Sequence, residues 1–276
     1  MPEKIEKEDV KKVLSQYILS NDELENMVIE PRIDLKSGTQ VDEVLPIFKD
    51  SLTVVSAPPK NGKSLFMLHL AMNLAWEGNI VLYISLENTL RQDLNRMKSA
   101  RNTYGKKQPE SFFYINKERV PSKYMSEFVY KVIQNFGEYD VIFIDATEKI
   151  ISLGETGSEI SKNGKEVLDN ILACKAQNEN KPAIVCSWQF SKQNLNNKIE
   201  EASLASLGGS ISAVQMADSI WTIVRNRAKG EWKIKLLASR EDYSTDKDTV
   251  DVYWNNQFDL RTNADLLIED LKKKVK

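Results

Sequence analysis

The run Ala57-Pro58-Pro59-Lys60-Asn61-Gly62-Lys63-Ser64 constrains this chain more than any other feature, because an apolar, β-branched stretch leads into it and an apolar helical stretch leads out. It matches the phosphate-binding loop pattern G-x-x-x-x-G-K-[ST] at every position but the first, where Ala57 replaces glycine. The chemistry explains the pattern. Backbone N–H groups of such a loop, together with the positive N-terminal end of the following helix, hold phosphate oxygens. Gly62 allows close backbone approach, Lys63 sets an ammonium against the β- and γ-phosphates, and the Ser64 hydroxyl offers a ligand to Mg²⁺. The reading assigns Ala57, Pro58, Pro59, Lys60, Asn61, Gly62, Lys63, Ser64 and Leu65 to nucleotide binding, with ATP and Mg²⁺ as cofactors. The flanks give the required context: residues 51–56 read as a strand, and Ser64 to Trp76 as a helix that Gly78 ends.

Composition narrows the remaining classes. A chain of 276 residues with 41% hydrophobic content can bury a full core. The formal net charge of −2 leaves no global basic field, so any nucleic-acid contact must use local patches. Cys174 and Cys186 lack metal-ligand or disulfide-scaffold spacing and read as buried free thiols in a reducing compartment. The lone histidine, His69, falls in the apolar helix and reads as a packing residue, which argues against a zinc site or a Cys-His pair. The N-terminus is charged, and no apolar run approaches the roughly 18 residues of a membrane span. A soluble, cytoplasmic protein is expected.

Along the chain, residues 4–28 suit short amphipathic helices that Pro31 punctuates. A βα alternation follows, with strands at 51–56, 80–85, 111–115, 140–145 and 182–187, and helices at 63–77, 89–101, 122–136 and 163–178. After about residue 216 the pattern turns to strands alone, at 219–224, 232–238 and 248–254. The expectation is an α/β fold with a mostly parallel central sheet and a C-terminal antiparallel extension. Its parts are a helical arm at 1–32, a core at 33–262 and a charged tail at 263–276. Two polar segments, 152–164 and 191–212, are too long for mere connectors and read as functional loops.

A phosphoanhydride hydrolase also needs a metal-holding carboxylate at the end of a second strand. Asp145, closing the apolar run 141–144, meets that need. The next residue is Ala146, so a general base must come from elsewhere. Glu87, at the end of the strand after the loop's helix, is the first candidate and Glu148 the reserve. Glu87 also suits a solvated strand-end charge ahead of a helix capped by Thr89, with Gln92 completing a capping box.

The run 81–96, the segment Ile184-Val185-Cys186-Ser187-Trp188-Gln189 and the stretch 207–218 together resemble the RecA-like ATPase domain of DnaB-family replicative hexameric helicases, over residues 33–260. The resemblance implies a RecA-like P-loop ATPase that forms a homo-hexamer with ATP between subunits and moves on single-stranded DNA. By position it implies that Gln189 senses the γ-phosphate and that Arg240 is a finger acting on the neighbouring subunit's nucleotide. It also places Lys162, Lys165, Lys192 and Lys198 in or beside loops that grip DNA phosphates. The family's lysine two residues before the finger is Ala238 here, and its following glycine is absent. With residues 1–32 alone ahead of the core, the resemblance implies a minimal, single-domain helicase of a phage, plasmid or mobile element. Two rivals stay open: a recombination mediator that binds single strands without unwinding, and an ATP-binding regulatory module that never touches DNA.

Overall fold

The computed structural model describes residues 22, 32–43, 45–120, 125–135, 137–151, 160–189, 204, 215–226, 231–240, 249–253 and 261–262. Apart from Asp22 and Arg32, all of these fall in one compact unit, Ile33–Lys276. The expected helices of 4–28, Lys192 and Lys198 with most of segment 191–212, and the tail at 263–276 lie outside the described residues.

The elements follow in the order β1 (Leu52–Ala57), α1 (Lys63–Trp76), β2 (Val81–Ser85), α2 (Leu90–Tyr104), β3 (Phe112–Asn116), α3 (Met125–Asn135), β4 (Val141–Asp145), α4 (Glu148–Ile151), α5 (Ile160–Gln177), β5 (Ala183–Gln189), β6 (Ser219–Asn226), β7 (Glu231–Ser239), β8 (Thr249–Tyr253) and β9 (Arg261–Thr262). Among the described residues they form one sheet of nine strands in the order β3-β2-β4-β5-β1-β6-β7-β8-β9. The pairings from β3 through β6 are all parallel, and those from β6 to β9 are antiparallel. The expected mostly parallel sheet with an antiparallel extension is what the chain builds.

Strand periodicity explains the layers. In β1, β2 and β4 every residue is buried, as expected of parallel strands covered on both faces. Alternate side chains go to opposite faces: Val55, Tyr83, Phe143 and Val185 join Phe66, Met67 and Leu74 of α1, while Val54, Leu82, Ile144 and Cys186 join Val129 and Ile133 of α3 and Leu168 and Ile171 of α5. Helix α1 is enclosed almost all round, with Phe66 through Ala75 buried, which is why its sequence shows no polar face. It ends where Gly78, at φ 99°, turns the chain back and donates to the Ala75 carbonyl.

Helix α5 starts at Ile160, so the segment read as a loop through residue 164 is helical in its last part. Its serine, asparagine and glycine are poor helix formers, and tertiary packing overrides them: Gly164 is buried. Lys162 therefore lies on a helix rather than in a loop, while Lys165 is on the helix as expected and is exposed. The expectation for the thiols holds for one of them. Cys186 is buried at the centre of the sheet, whereas Cys174 on α5 is only partly covered.

Candidate active site

The site grows from the C-terminal ends of the parallel strands. Ala57 closes β1 in extended backbone paired with Gln189 of β5, and its methyl group is buried in the core. An alanine therefore serves where the pattern has glycine, since nothing in that backbone demands a positive φ. Pro58 is buried and Pro59 and Lys60 are exposed. The loop then tightens: Lys60 has φ 63°, and Asn61 donates from its backbone N–H to the Pro58 carbonyl at 3.2 Å and from its side-chain amide to the Pro58 and Pro59 carbonyls. Gly62, at φ 83° and ψ 16°, caps α1 in the left-handed region that side chains disfavour. Its position directs the free N–H groups of the helix's first turn into the loop.

Lys63 opens the helix. Its side chain is 7% exposed, and its ammonium makes no hydrogen bond among the described residues. A buried ammonium without a partner is costly and is retained where an anion completes it. Together with the turn at Gly62 and the helix N-terminus, it concentrates positive charge at the end of the loop, the kind of charge that attracts a phosphate group. Ser64 and Leu65 follow, partly covered, with Leu65 packed on the core.

Asp145 is fully buried at the end of β4. Its Oδ1 accepts from the Ser187 hydroxyl at 3.0 Å, and its Oδ2 accepts from the Tyr83 phenol at 3.0 Å. The same phenol oxygen is 3.2 Å from the Ser64 carbonyl, so one side chain of β2 bridges the aspartate and the first turn of α1. Burial, then the charges of Asp145 and Asp93, push the Tyr83 hydroxyl well above its ordinary range, so it remains a proton donor. The Ser64 carbonyl and the Asp145 carboxylate are thus brought to the two sides of one phenol, and a serine hydroxyl and a carboxylate are the donor types that an octahedral cation with water ligands takes. The Asp145–Ala146 peptide is cis.

Glu87 sits beyond the end of β2, and the β2–β4 register sets Ser85 beside Asp145. It is partly exposed, and its carboxylate has no hydrogen bond or ion pair among the described residues. The loop beneath it is held tightly. The Leu86 N–H donates to the Asp145 carbonyl, Lys117 Nζ donates to the Glu87 carbonyl at 2.5 Å, and Asn116 donates to the Asn88 carbonyl at 3.2 Å. Thr89 accepts from the Gln92 N–H while the Gln92 side chain accepts from the Thr89 N–H, the capping box expected from the sequence. A strand-end charge and a capped helix are therefore both present, and the geometry leaves the carboxylate available. Glu148, the reserve, opens the four-residue helix α4 beside the buried Cys186, whose thiol is pushed up to about 12 by burial and, less strongly, by the Glu148 charge.

A second buried carboxylate escaped the sequence reading. Asp93 of α2 is 1% exposed and accepts from Ser85, Tyr114 and Arg96. Burial pushes its carboxyl up, while the two hydroxyl donors and the Arg96 charge oppose the shift. An aspartate in the first turn of a capped helix reads as a helix-terminus charge, and only the β2–β3 register reveals the hydroxyls that face it.

Gln189 ends β5 opposite Ala57, beside the loop at 58–62. Arg240 lies at the other end of the sheet. It follows β7, whose Ser239 pairs with Ser219 at the start of β6, and β6 in turn pairs Ser219 with Thr53 near the start of β1. Its guanidinium donates to the Gln215 carbonyl and stands 3.9 Å from Asp218 Oδ1. The structure thus brings Lys63, Ser64, Asp145 and Glu87 to one edge and separates Arg240 from them by the length of a strand.

Solved structures share this arrangement. One of them, the structure of an ATPase domain, superposes with TM-score 0.60 over 90% of this chain and 95% of that one, at 16% identity. A DnaB-like replicative helicase, solved for its interactions with primase, gives 0.62 over 91% of this chain and 69% of that one, at 14% identity. The fold is the α/β, RecA-like one that these structures share. The flagellar accessory protein FlaH from Methanocaldococcus jannaschii also matches, with TM-score 0.54 over 81% of this chain and 94% of that one, at 17% identity. No protein-family model and no curated protein matches the sequence. Among the described residues no helix is long and apolar enough to cross a membrane.

Proposed function

We propose that the chain is an Mg²⁺-ATP-dependent motor that assembles as a homo-hexamer and moves on single-stranded DNA, in the manner of a replicative helicase of a phage, plasmid or mobile element. The observation that carries the nucleotide reading is the ammonium of Lys63, buried behind the turn at Gly62 and without a hydrogen-bond partner among the described residues. Lys63 and the loop N–H groups hold the triphosphate; Ser64 and Asp145 would hold magnesium, which screens phosphate charge. Glu87 accepts a proton from the attacking water, and having no ion pair among the described residues suits it to that work. Gln189, one strand from the loop, reports whether the γ-phosphate is present.

Arg240 is too far from its own chain's loop to reach it: six residues of β1 span roughly 20 Å at ~3.3 Å each. A role in hydrolysis therefore requires the nucleotide of an adjacent subunit, which supports the ring. Lys165, exposed on α5, with Lys162, Lys192 and Lys198, supplies the local positive charge that DNA phosphates need in a chain of net charge −2.

A second reading has its own observation. Arg240 is engaged within its own chain by Gln215 and Asp218, contacts it must break to act as a finger. A regulatory module that binds ATP and hydrolyses it slowly would keep them. The two readings part in one experiment: ATP turnover of the full chain with and without single-stranded DNA, for the wild type, Glu87→Gln and Arg240→Ala, with particle mass measured alongside. The motor reading expects DNA-stimulated turnover that both substitutions abolish and a hexameric mass. Turnover indifferent to DNA and to Arg240→Ala in a monomer overturns it.

A further inference from the structure

We propose that Asn116 and Lys117, at the end of the edge strand β3, are positioning residues that aim Glu87 at the attacking water. The inference rests on Glu87 as the base and extends it to two residues that contact the main chain of the loop carrying it. The loop 86–89 leaves β2 with no secondary structure of its own before α2 begins at Leu90, so its backbone depends on bonds from neighbours. On one side the Leu86 N–H is fixed to the Asp145 carbonyl, which ties the loop to the metal-holding strand. On the other side the carbonyls of Glu87 and Asn88 are both claimed from β3 and its exit: that of Glu87 by Lys117 Nζ at 2.5 Å and that of Asn88 by Asn116 Nδ2 at 3.2 Å.

Asn116 is itself over-determined. It is 1% exposed, its Nδ2 also lies 2.8 Å from the Tyr114 hydroxyl, and its Oδ1 accepts from the Glu118 N–H at 3.0 Å. Tyr114 passes the order on by donating to Asp93, which accepts from Ser85 at the end of β2. The chain of bonds thus runs from Asn88, in the loop after β2, back to Ser85 at the end of β2, and brackets Glu87 between its two ends. Lys117 has no ion pair among the described residues; its described hydrogen bond goes to the main chain of Glu87 itself. With the carbonyls of Glu87 and Asn88 held, the direction in which the Glu87 side chain leaves the loop is set before any ligand binds. Misplacing a reacting group by about 1 Å costs roughly 100-fold in rate without touching ground-state binding.

The test uses the full chain with Mg²⁺-ATP and single-stranded DNA, comparing Lys117→Met, Lys117→Arg and Asn116→Ala with the wild type and Glu87→Gln. Turnover at saturation should fall at least about 10-fold in Lys117→Met and Asn116→Ala, recover in Lys117→Arg, and show no further loss when either is combined with Glu87→Gln. Affinity for a fluorescent ATP analogue should stay within about twofold, a split that a merely structural role would not produce. If Glu87→Gln abolishes turnover while Lys117→Met and Asn116→Ala leave it intact, the positioning role is overturned and the base survives. If Glu87→Gln itself turns over normally, both fall. Parallel loss of nucleotide affinity and thermal stability in both variants also overturns the role.

Discussion

The phenol of Tyr83 donates to Asp145 at 3.0 Å inside a fully enclosed stretch of the sheet, and the same oxygen touches the first turn of α1 through the Ser64 carbonyl. A single hydroxyl therefore ties the carboxylate of β4 to the loop of β1. Tyr83→Phe leaves Asp145 Oδ2 buried without that donor, and a buried charged acceptor deprived of one donor costs about 1–3 kcal/mol. Urea unfolding of the apo protein should show that loss with an unchanged m-value.

Lys63 presents the opposite case. Its ammonium is buried and has no partner among the described residues, so Lys63→Met removes a cost rather than a contact. The apo protein should gain about 1 kcal/mol of stability while affinity for ATP falls at least about 100-fold. Calorimetric unfolding and titration with ATP on the same preparation measure the two effects, and a variant that loses stability and keeps its affinity contradicts the phosphate seat.

Acid sensitivity should carry the mark of His69. The ring is fully buried against Tyr104, and burial, then the Arg96 charge, bring it down to about 3. Its folded value lies below the ordinary one near 6.5, so the stability it permits is complete above about pH 6.5 and is lost as pH falls towards 3, at about 1.4 kcal/mol per pH unit. Denaturant midpoints between pH 7 and 5 should fall more gently in His69→Leu than in the wild type.

Arg240 and Lys63 belong to different sites if the finger acts on a neighbour. Lys63→Ala and Arg240→Ala should each be inactive alone, yet a refolded mixture should hydrolyse ATP, because an Arg240→Ala subunit keeps a sound loop and can be served by the Arg240 of a Lys63→Ala neighbour. Steady-state ATPase assays of the mixture check this, and an inactive mixture counts against a shared site.

Thiol chemistry should separate the two cysteines. Cys186, enclosed between β1 and β4 and pushed up to about 12 by burial, should resist maleimide in the native protein, whereas the partly covered Cys174 should react. Mass spectrometry after timed quenching gives the modification at each position.

The strands were legible because parallel strands buried on both faces leave unbroken apolar runs, and runs such as 141–144 admit few other readings. The capping box was legible because Thr89 and Gln92 act within one turn. Local patterns carried the loop at 57–64 for the same reason. What stayed hidden depends on register between strands distant in sequence. Tyr83 and Ser187 each look like one polar residue in an apolar run; only the pairing of β2, β4 and β5 turns both hydroxyls onto Asp145. The short helix α4 has too few residues for any periodicity to show, and the start of α5 was obscured by residues that favour turns. The hold of Asn116 and Lys117 on Asn88 and Glu87 gave no local sign, because those carbonyls sit on another strand's exit loop.

The position of β1 has a further consequence for how the molecule comes into being. The first strand of this sheet to leave the ribosome ends up in its interior, flanked by β5 on one side and β6 on the other, with Thr53 paired to Val185 and to Ser219. Both neighbours are made far later in synthesis. Until residues 183–226 emerge, the nascent chain carries an unpaired hydrophobic ribbon with two open edges, the kind of surface that chaperones shield and that aggregates when they do not. The loop at 57–64 hangs from the end of that ribbon, and so takes its shape among the last features of the protein rather than among the first.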